Sequence, residues 1–254
     1  MLLIRQNQLH ALSGQLRVNF ESRLCDLFMQ GYPRECHQAG GRAAMLRWTE
    51  VGVSEACAAG YRSQHACGRW LLLMMMLGID FAIDPQLPWI RACLDPSRNS
   101  GPTERIDEAV DEAMHYLGAI AGEDAERVVR AMVRIRDFDF ASVPSLQGPA
   151  AVDEACARLK WLYPEKFDFQ GEALMADFVA SQLNAARQHG LAGPAGGFLF
   201  VLLAFMLGTG FHRDPLHSWA VRVLDPAAQL ASDERAARLE AAARMHMALS
   251  FGNA

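Results

Sequence analysis

Apolar residues recur at helical spacing along almost the whole chain. Leu9, Leu12, Leu16, Val18, Phe20, Leu24, Leu27 and Phe28 fall mostly on one side of a 3.6-residue period, and Gly31 with Pro33 ends the pattern. A second helix is predicted over about 40–59, stopping at Gly60. A third, over about 64–77, is apolar nearly all round from Leu71 to Leu77, which marks a buried central helix, and Gly78 follows it as the expected cap residue. The same order returns with helices predicted near 150–162, 168–189 and 196–207, the last capped by Gly208. Between the two runs, Ile106, Ala109, Val110, Ala113, Leu117 and Ile120 form one apolar face. A following segment carries acids first and Arg127, Arg130, Arg134 and Arg136 later, as the helix dipole favours. A last helix is predicted from Ser232, its N-cap. Period-two alternation of β-branched residues is nearly absent, so the predicted fold is all-α.

The two runs are copies. Setting 71–96 against 201–226 without gaps pairs Leu72, Leu73, Met76, Leu77, Gly78, Phe81, Asp84, Pro85, Trp89, Leu94, Asp95 and Pro96 with identical residues, 12 in 26 positions. Upstream, Gly41, Ala43, Met45, Ala56 and Gly60 match at the same offset, and Tyr32-Pro33 matches Tyr163-Pro164 after a one-residue gap. Two units are inferred, about 20–96 and 151–226. The predicted organisation is 1–96 as a first helical unit, 97–147 as a connecting helical pair and 148–254 as a second unit with a terminal helix. Whether these form one compact or one bilobed domain is left open.

What the copies share is "GIDFAIDPQLPW" at 78–89 and "GTGFHRDPLHSW" at 208–219. Gly78 and Gly208 should end one helix, and Phe81 and Phe211 should turn inward. Asp84-Pro85 and Asp214-Pro215 should each start a short helix, with aspartate as cap and proline at the first helical position. Trp89 and Trp219 should lie about a turn further on, and Asp95-Pro96 and Asp225-Pro226 should end that helix. These ten positions, from Gly78 to Trp89 and from Gly208 to Trp219, read as a helix-loop-helix corner. The unmatched residues, Ala82, Ile83, Gln86 and Leu87 against His212, Arg213, Leu216 and His217, are the expected seat of specificity.

Composition narrows the function more by exclusion. With 254 residues, 51% hydrophobic and a formal charge of -5, the chain can bury a large core and has the wrong sign for a general nucleic-acid binder. Arg5 and Gln6 break any signal-peptide core, and Cys25, Cys36, Cys57, Cys67, Cys93 and Cys156 are scattered, so a cytoplasmic protein with free thiols is expected. Residues 190–211 are uncharged over a spanning length, but Gly and Pro194 interrupt them and the copy carries Arg62, Arg69 and Asp80, so burial in protein is the expectation. Glu112 and His115 have the i, i+3 spacing of di-iron ligands but no second copy of that motif exists, and His212 and His217 answer to Ala82 and Leu87. No nucleophile elbow or phosphate loop is present. Catalytic residues, metal and cofactor are therefore all expected to be absent.

In the pattern Phe-x-x-x-Leu, then Tyr-Pro, then "LGIDFAIDPQLPW" and its echo "LGTGFHRDPLHSW", the chain resembles helical proteins encoded beside effectors of bacterial type VI secretion systems. That resemblance implies a non-enzymatic protein of a Gram-negative bacterium that works with a toxin, as an immunity protein or a loading accessory. The second copy departs from it at Ser218, where the first has Pro88, and at Gly210, where the first has Asp80. The expected function is a helical module that binds another protein, with a toxin effector as the candidate partner. The alternative is a small-ligand carrier or enzyme with a pocket between the two apolar helices.

Overall fold

A computed structural model describes residues 6–146 and 148–251, with the side chains of 14–249 apart from Gln147. All its regular structure is helical: α1 Gln6–Gly31, α2 Pro33–Gln38, α3 Arg42–Ala58, α4 Gln64–Leu77, α5 Pro88–Leu94, α6 Pro102–Ala121, α7 Glu126–Arg136, α8 Pro149–Leu162, α9 Pro164–Gln170, α10 Glu172–Gln188, α11 Pro194–Leu207, α12 Ser218–Leu224 and α13 Ser232–Phe251.

Helix bounds carry the same 130-residue offset as the sequence. α3, α4, α5 and α6 begin at 42, 64, 88 and 102, and α10, α11, α12 and α13 at 172, 194, 218 and 232. The correspondence thus runs past 226 to the end of α13, further than the matched residues suggest. α6 packs on α4 and α5, as α13 packs on α11 and α12, so α6 is the closing helix of the first unit by packing rather than half of a separate connecting pair. Equivalent aromatic contacts tie each closing helix down. Trp89 meets Tyr116 with ring centroids 5.4 Å apart, and Trp219 meets His246 at 5.5 Å. Among the described α-helices, α7 alone stands between the units without a counterpart.

Three expectations change in detail. The helix predicted over 168–189 is two, because Gly171 sits at φ 84° and breaks it, its N–H capping the Phe167 carbonyl. α2 is an unpredicted short helix, started by Pro33 and held apart from α3 by the positive-φ pair Gly40-Gly41. The apolar stripe of α1 is only partly a core face: Leu24 and Phe28 are buried, while Leu16, Val18 and Leu27 are exposed. Leu9 and Leu12 lie outside the described side chains.

The central helices are α4 and α11. In α11 every residue from Gly196 to Phe205 is buried, in keeping with its uninterrupted apolar run. Among the described residues, no helix is long and apolar enough to cross a membrane.

The C-terminal ends of α4 and α11 meet through their cap glycines. A methyl group on Gly208 would sit 2.7 Å from the Leu77 carbonyl oxygen, and one on Gly78 would run into the Leu207 carbonyl. Both glycines also hold positive φ, 96° and 88°, a region that costs any residue with a Cβ. Gly208→Ala should therefore lower stability by about 2–4 kcal/mol in urea unfolding. Gly118→Ala, on an exposed face of α6 with nothing within 4 Å, should raise it by about 1 kcal/mol.

Candidate functional site

Each cap glycine opens a corner. Phe81 and Phe211 turn into the core, Phe81 against Trp70 at 4.8 Å and Phe211 against Phe200 at 5.0 Å between centroids. The Asp-Pro pairs do not begin the next α-helix. Asp84 accepts a hydrogen bond from the Gln86 N–H at 2.8 Å, and Asp214 one from the Leu216 N–H at 2.8 Å. An aspartate bonded two residues ahead closes a turn of its own, and that turn separates the corner from the helix. Pro85 lies in such a turn and Pro215 starts the 3-10 helix Pro215–His217, while α5 and α12 begin three residues later, at Pro88 and Ser218. Trp89 and Trp219 are the second residues of those helices, Trp89 half-buried and Trp219 buried.

The two corners interlock. The second oxygen of Asp84 accepts the Thr209 N–H of the other corner at 2.9 Å. Gln86 donates its amide N–H to the Ala204 carbonyl of α11 at 3.1 Å. In the opposite sense Arg213 donates to Asp80 of the first corner and to Glu55 of α3, the latter at 3.2 Å. Gly210 answers Asp80 for a steric reason: a Cβ there would meet the Asp80 carboxylate at 2.6 Å. Several of the unmatched residues are thus internal ties. Gln86 and Leu87 are buried, Arg213 is spent on Asp80 and Glu55, His212 packs on His189 at 4.5 Å, and His217 packs against Trp219 and His246. Ile83, 70% exposed, points outward without such a tie.

Polar side chains converge at the first corner beside a cavity of about 190 Å³. Asp84, Gln86, Tyr116, Tyr163 and Lys166 line it together with Met76, Leu77, Ile120, Met132 and Met206. Lys166 comes from α9 of the second unit and is buried. It donates to the Phe205 carbonyl in the last turn of α11 and lies 4.9 Å from the Phe205 ring. A cation at a helix C-terminus offsets the negative end of the dipole, and two such ends converge here. Tyr163 donates to the Ile120 carbonyl at 2.8 Å, fixing α9 against α6. Burial lowers the Lys166 ammonium to about 8, a fall that the Asp84 carboxylate partly resists. Burial also raises Asp84, against the hydrogen bonds from Thr209 and Gln86 and the charge of Lys166. Tyr116 is pushed up by the same loss of solvent.

The second corner has no such centre. The residue answering Lys166 is Glu35, exposed on α2. Asp214 is raised to about 6 by burial, with the Leu216 N–H and Arg213 opposing. His217 and His246 are each lowered to about 4 by burial. Among the described residues no group of three or more histidines, cysteines or acids is placed to hold a metal ion. Glu112 and His115 are both exposed on α6. His65 bonds Asp107 at 2.9 Å, while the buried Cys67 thiol donates to the Tyr61 carbonyl at 3.3 Å. Lys166 escaped sequence reasoning because its short helix, "PEKFDFQ", reads as a polar surface segment and its counterpart carries the opposite charge.

Removing Asp84 strands the Thr209 and Gln86 donors and leaves Lys166 without its counter-charge. Asp84→Ala should cost about 3 kcal/mol by urea unfolding. Asp95→Ala, which loses one exposed hydrogen bond to Ser97, should cost about 1 kcal/mol or less. Lys166 predicts a pH signature. Between about 8 and its ordinary 10.5 the unfolded chain holds a proton that the folded chain has released, so this group adds stability as pH rises through that window. Cys25, Cys36, Cys67, Cys93 and Cys156, all raised by burial, act in the opposite sense above 9. The readout is therefore the difference between the wild type and Lys166→Met. Wild type should gain about 1–3 kcal/mol on the variant between pH 7.5 and 10, and parallel profiles would contradict the assignment. Against known proteins, no family model, curated protein or solved structure matches the chain.

Proposed function

We propose that the chain is a non-enzymatic helical module that binds another protein, a toxin effector of a type VI secretion system, as its immunity or loading partner. The secretion context rests on the resemblance of the two corner motifs. The binding role rests on one observation, the first half of α1. α8, which answers α1, begins at Pro149, the counterpart of Val18, so α1 extends about three turns beyond the repeated unit. Where that extension joins the repeated unit, residues 14–19 are exposed on every side, with Leu16 at 67% and Val18 at 58%. A helical segment that its own fold leaves uncovered, with Leu16 and Val18 exposed on it, is the kind of surface a partner groove takes up. The corners are less suited to that role because they are engaged with each other.

A second reading, small-ligand binding, is favoured by the polar cavity at the first corner. The two separate experimentally. Capture from the native host with the full tagged chain should retain one dominant protein, and Leu16→Glu with Val18→Glu should lose it without lowering the melting temperature. Survival of cells co-expressing that protein, dependent on the same two residues, would assign immunity. Retention unchanged by the double substitution would remove α1 from the interface, and no retained protein at physiological salt would end the binding reading.

A further inference from the structure

We infer that the chain forms a reciprocal dimer in which the first half of α1 from each protomer lies in a groove on the second unit of the other. The groove, about 870 Å³, runs between the start of α8, one side of α10 and the start of α11, with Val152, Ala155, Leu183, Leu191 and Phe198 in its wall. The repeat explains why it is open. At the matching place in the first unit Phe20, Leu24 and Leu46 pack on the core, and their counterparts are Ala151, Ala155 and Ala176, all three in the groove wall. Gly197 likewise stands where the first unit has Cys67. The chain just before α8, residues 143–146, is non-helical where the first unit has α1.

An occupant of matching character is the helix end that the fold leaves bare. Leu9, Leu12, Leu16, Phe20, Leu24 and Phe28 follow one another at steps of three and four residues. Leu24 and Phe28 are buried, whereas Leu16 is 67% exposed, so the stripe runs off the edge of the first unit. Leu9, Leu12 and Leu16 have the i, i+3, i+7 spacing with which a helix seats in an apolar groove. Charge agrees. Residues 1–20 hold Arg5 and Arg17 and no acid, while Asp153 and Asp177 are exposed on the groove wall with no hydrogen bond or ion pair among the described residues. Of the other charged groups there, Glu154 is bonded to Arg158, and Arg187 stands in the last turn of α10. Within one chain the helix and the groove do not meet, because α1 is unbroken from Gln6 to Gly31 and residues 14–19 are exposed on every side. A second protomer brings them together, and a two-fold arrangement makes both contacts at once. The dimer goes beyond the toxin-binding reading and covers the same helix, so an effector has to displace it.

The test is sedimentation velocity of the purified full chain, in which a dimer should form with a dissociation constant on the order of 1–10 µM. Leu16→Glu with Val18→Glu should leave a monomer up to about 100 µM, well above that constant, at an unchanged melting temperature. Asp153→Arg with Asp177→Arg should weaken the dimer about tenfold or more. The Leu16→Glu, Val18→Glu chain keeps its groove intact, so a labelled peptide of residues 1–19 should bind it one-to-one. Ala180→Phe, which places a ring in the groove from an exposed position on α10, should abolish that binding. A wild-type chain that stays monomeric, a dimer that survives both double substitutions, or a peptide that fails to bind or binds equally to the filled groove would overturn the inference. These measurements use the chain alone, so their outcome is independent of the capture from the native host.

Discussion

The structure depends on the meeting of two helix ends. α4 and α11 are the most apolar helices of their units, and each stops at a glycine with positive φ. With no side chain on Gly78 or Gly208, each backbone approaches the carbonyl that ends the opposite helix. That closeness brings two negative dipole ends together, an arrangement unfavourable in itself. Donors offset it: the cap N–H groups, the Gln86 amide and the Lys166 ammonium all reach carbonyls of the last turns. A larger residue at either glycine would separate the helices, and the corner ties to Thr209, Ala204 and Asp80 would lose their reach.

The two units share a frame of helices and differ in chemistry. The aspartates of both corners close the same turn, yet Asp84 also reaches across to the opposite backbone at Thr209. Lys166 stands near Asp84, whereas Glu35, its counterpart, faces solvent. At the second corner the space is filled by histidines against an indole, with Asp214 left to its own turn and to Arg213. A buried cation and anion with a cavity on one side, and packed rings on the other, make the two interfaces of the repeat chemically unlike.

Much of this fold was legible because the signals were local. The bounds of α4 followed from an apolar run closed by Gly78, and the end of α5 followed from Asp95-Pro96. Asp84 and Asp214 were recognisable as backbone caps, since an aspartate before proline states that role in one dipeptide. What could not be read was the partner on the far side. Nothing in "DPQLPW" says that Gln86 bonds a carbonyl more than a hundred residues away, or that Arg213 and Asp80 would find each other. Lys166 was hidden for the same reason: burial of a lysine is a property of the packed neighbours and not of its own helix. The exposed face of α1 was misjudged in the other direction, because periodicity identifies an apolar stripe without showing what covers it.

The covalent link between the units has a consequence for how the central contact forms. An interface of two like surfaces would assemble, in separate chains, as a bimolecular event governed by their concentration. Here α7 and its flanking turns hold the second unit beside the first, so the glycine contact closes at the effective concentration of a tether, in the millimolar range for short linkers. Dilution therefore cannot part the halves of the Asp84–Lys166 centre, and each half is free to specialise because it never has to fit a copy of itself.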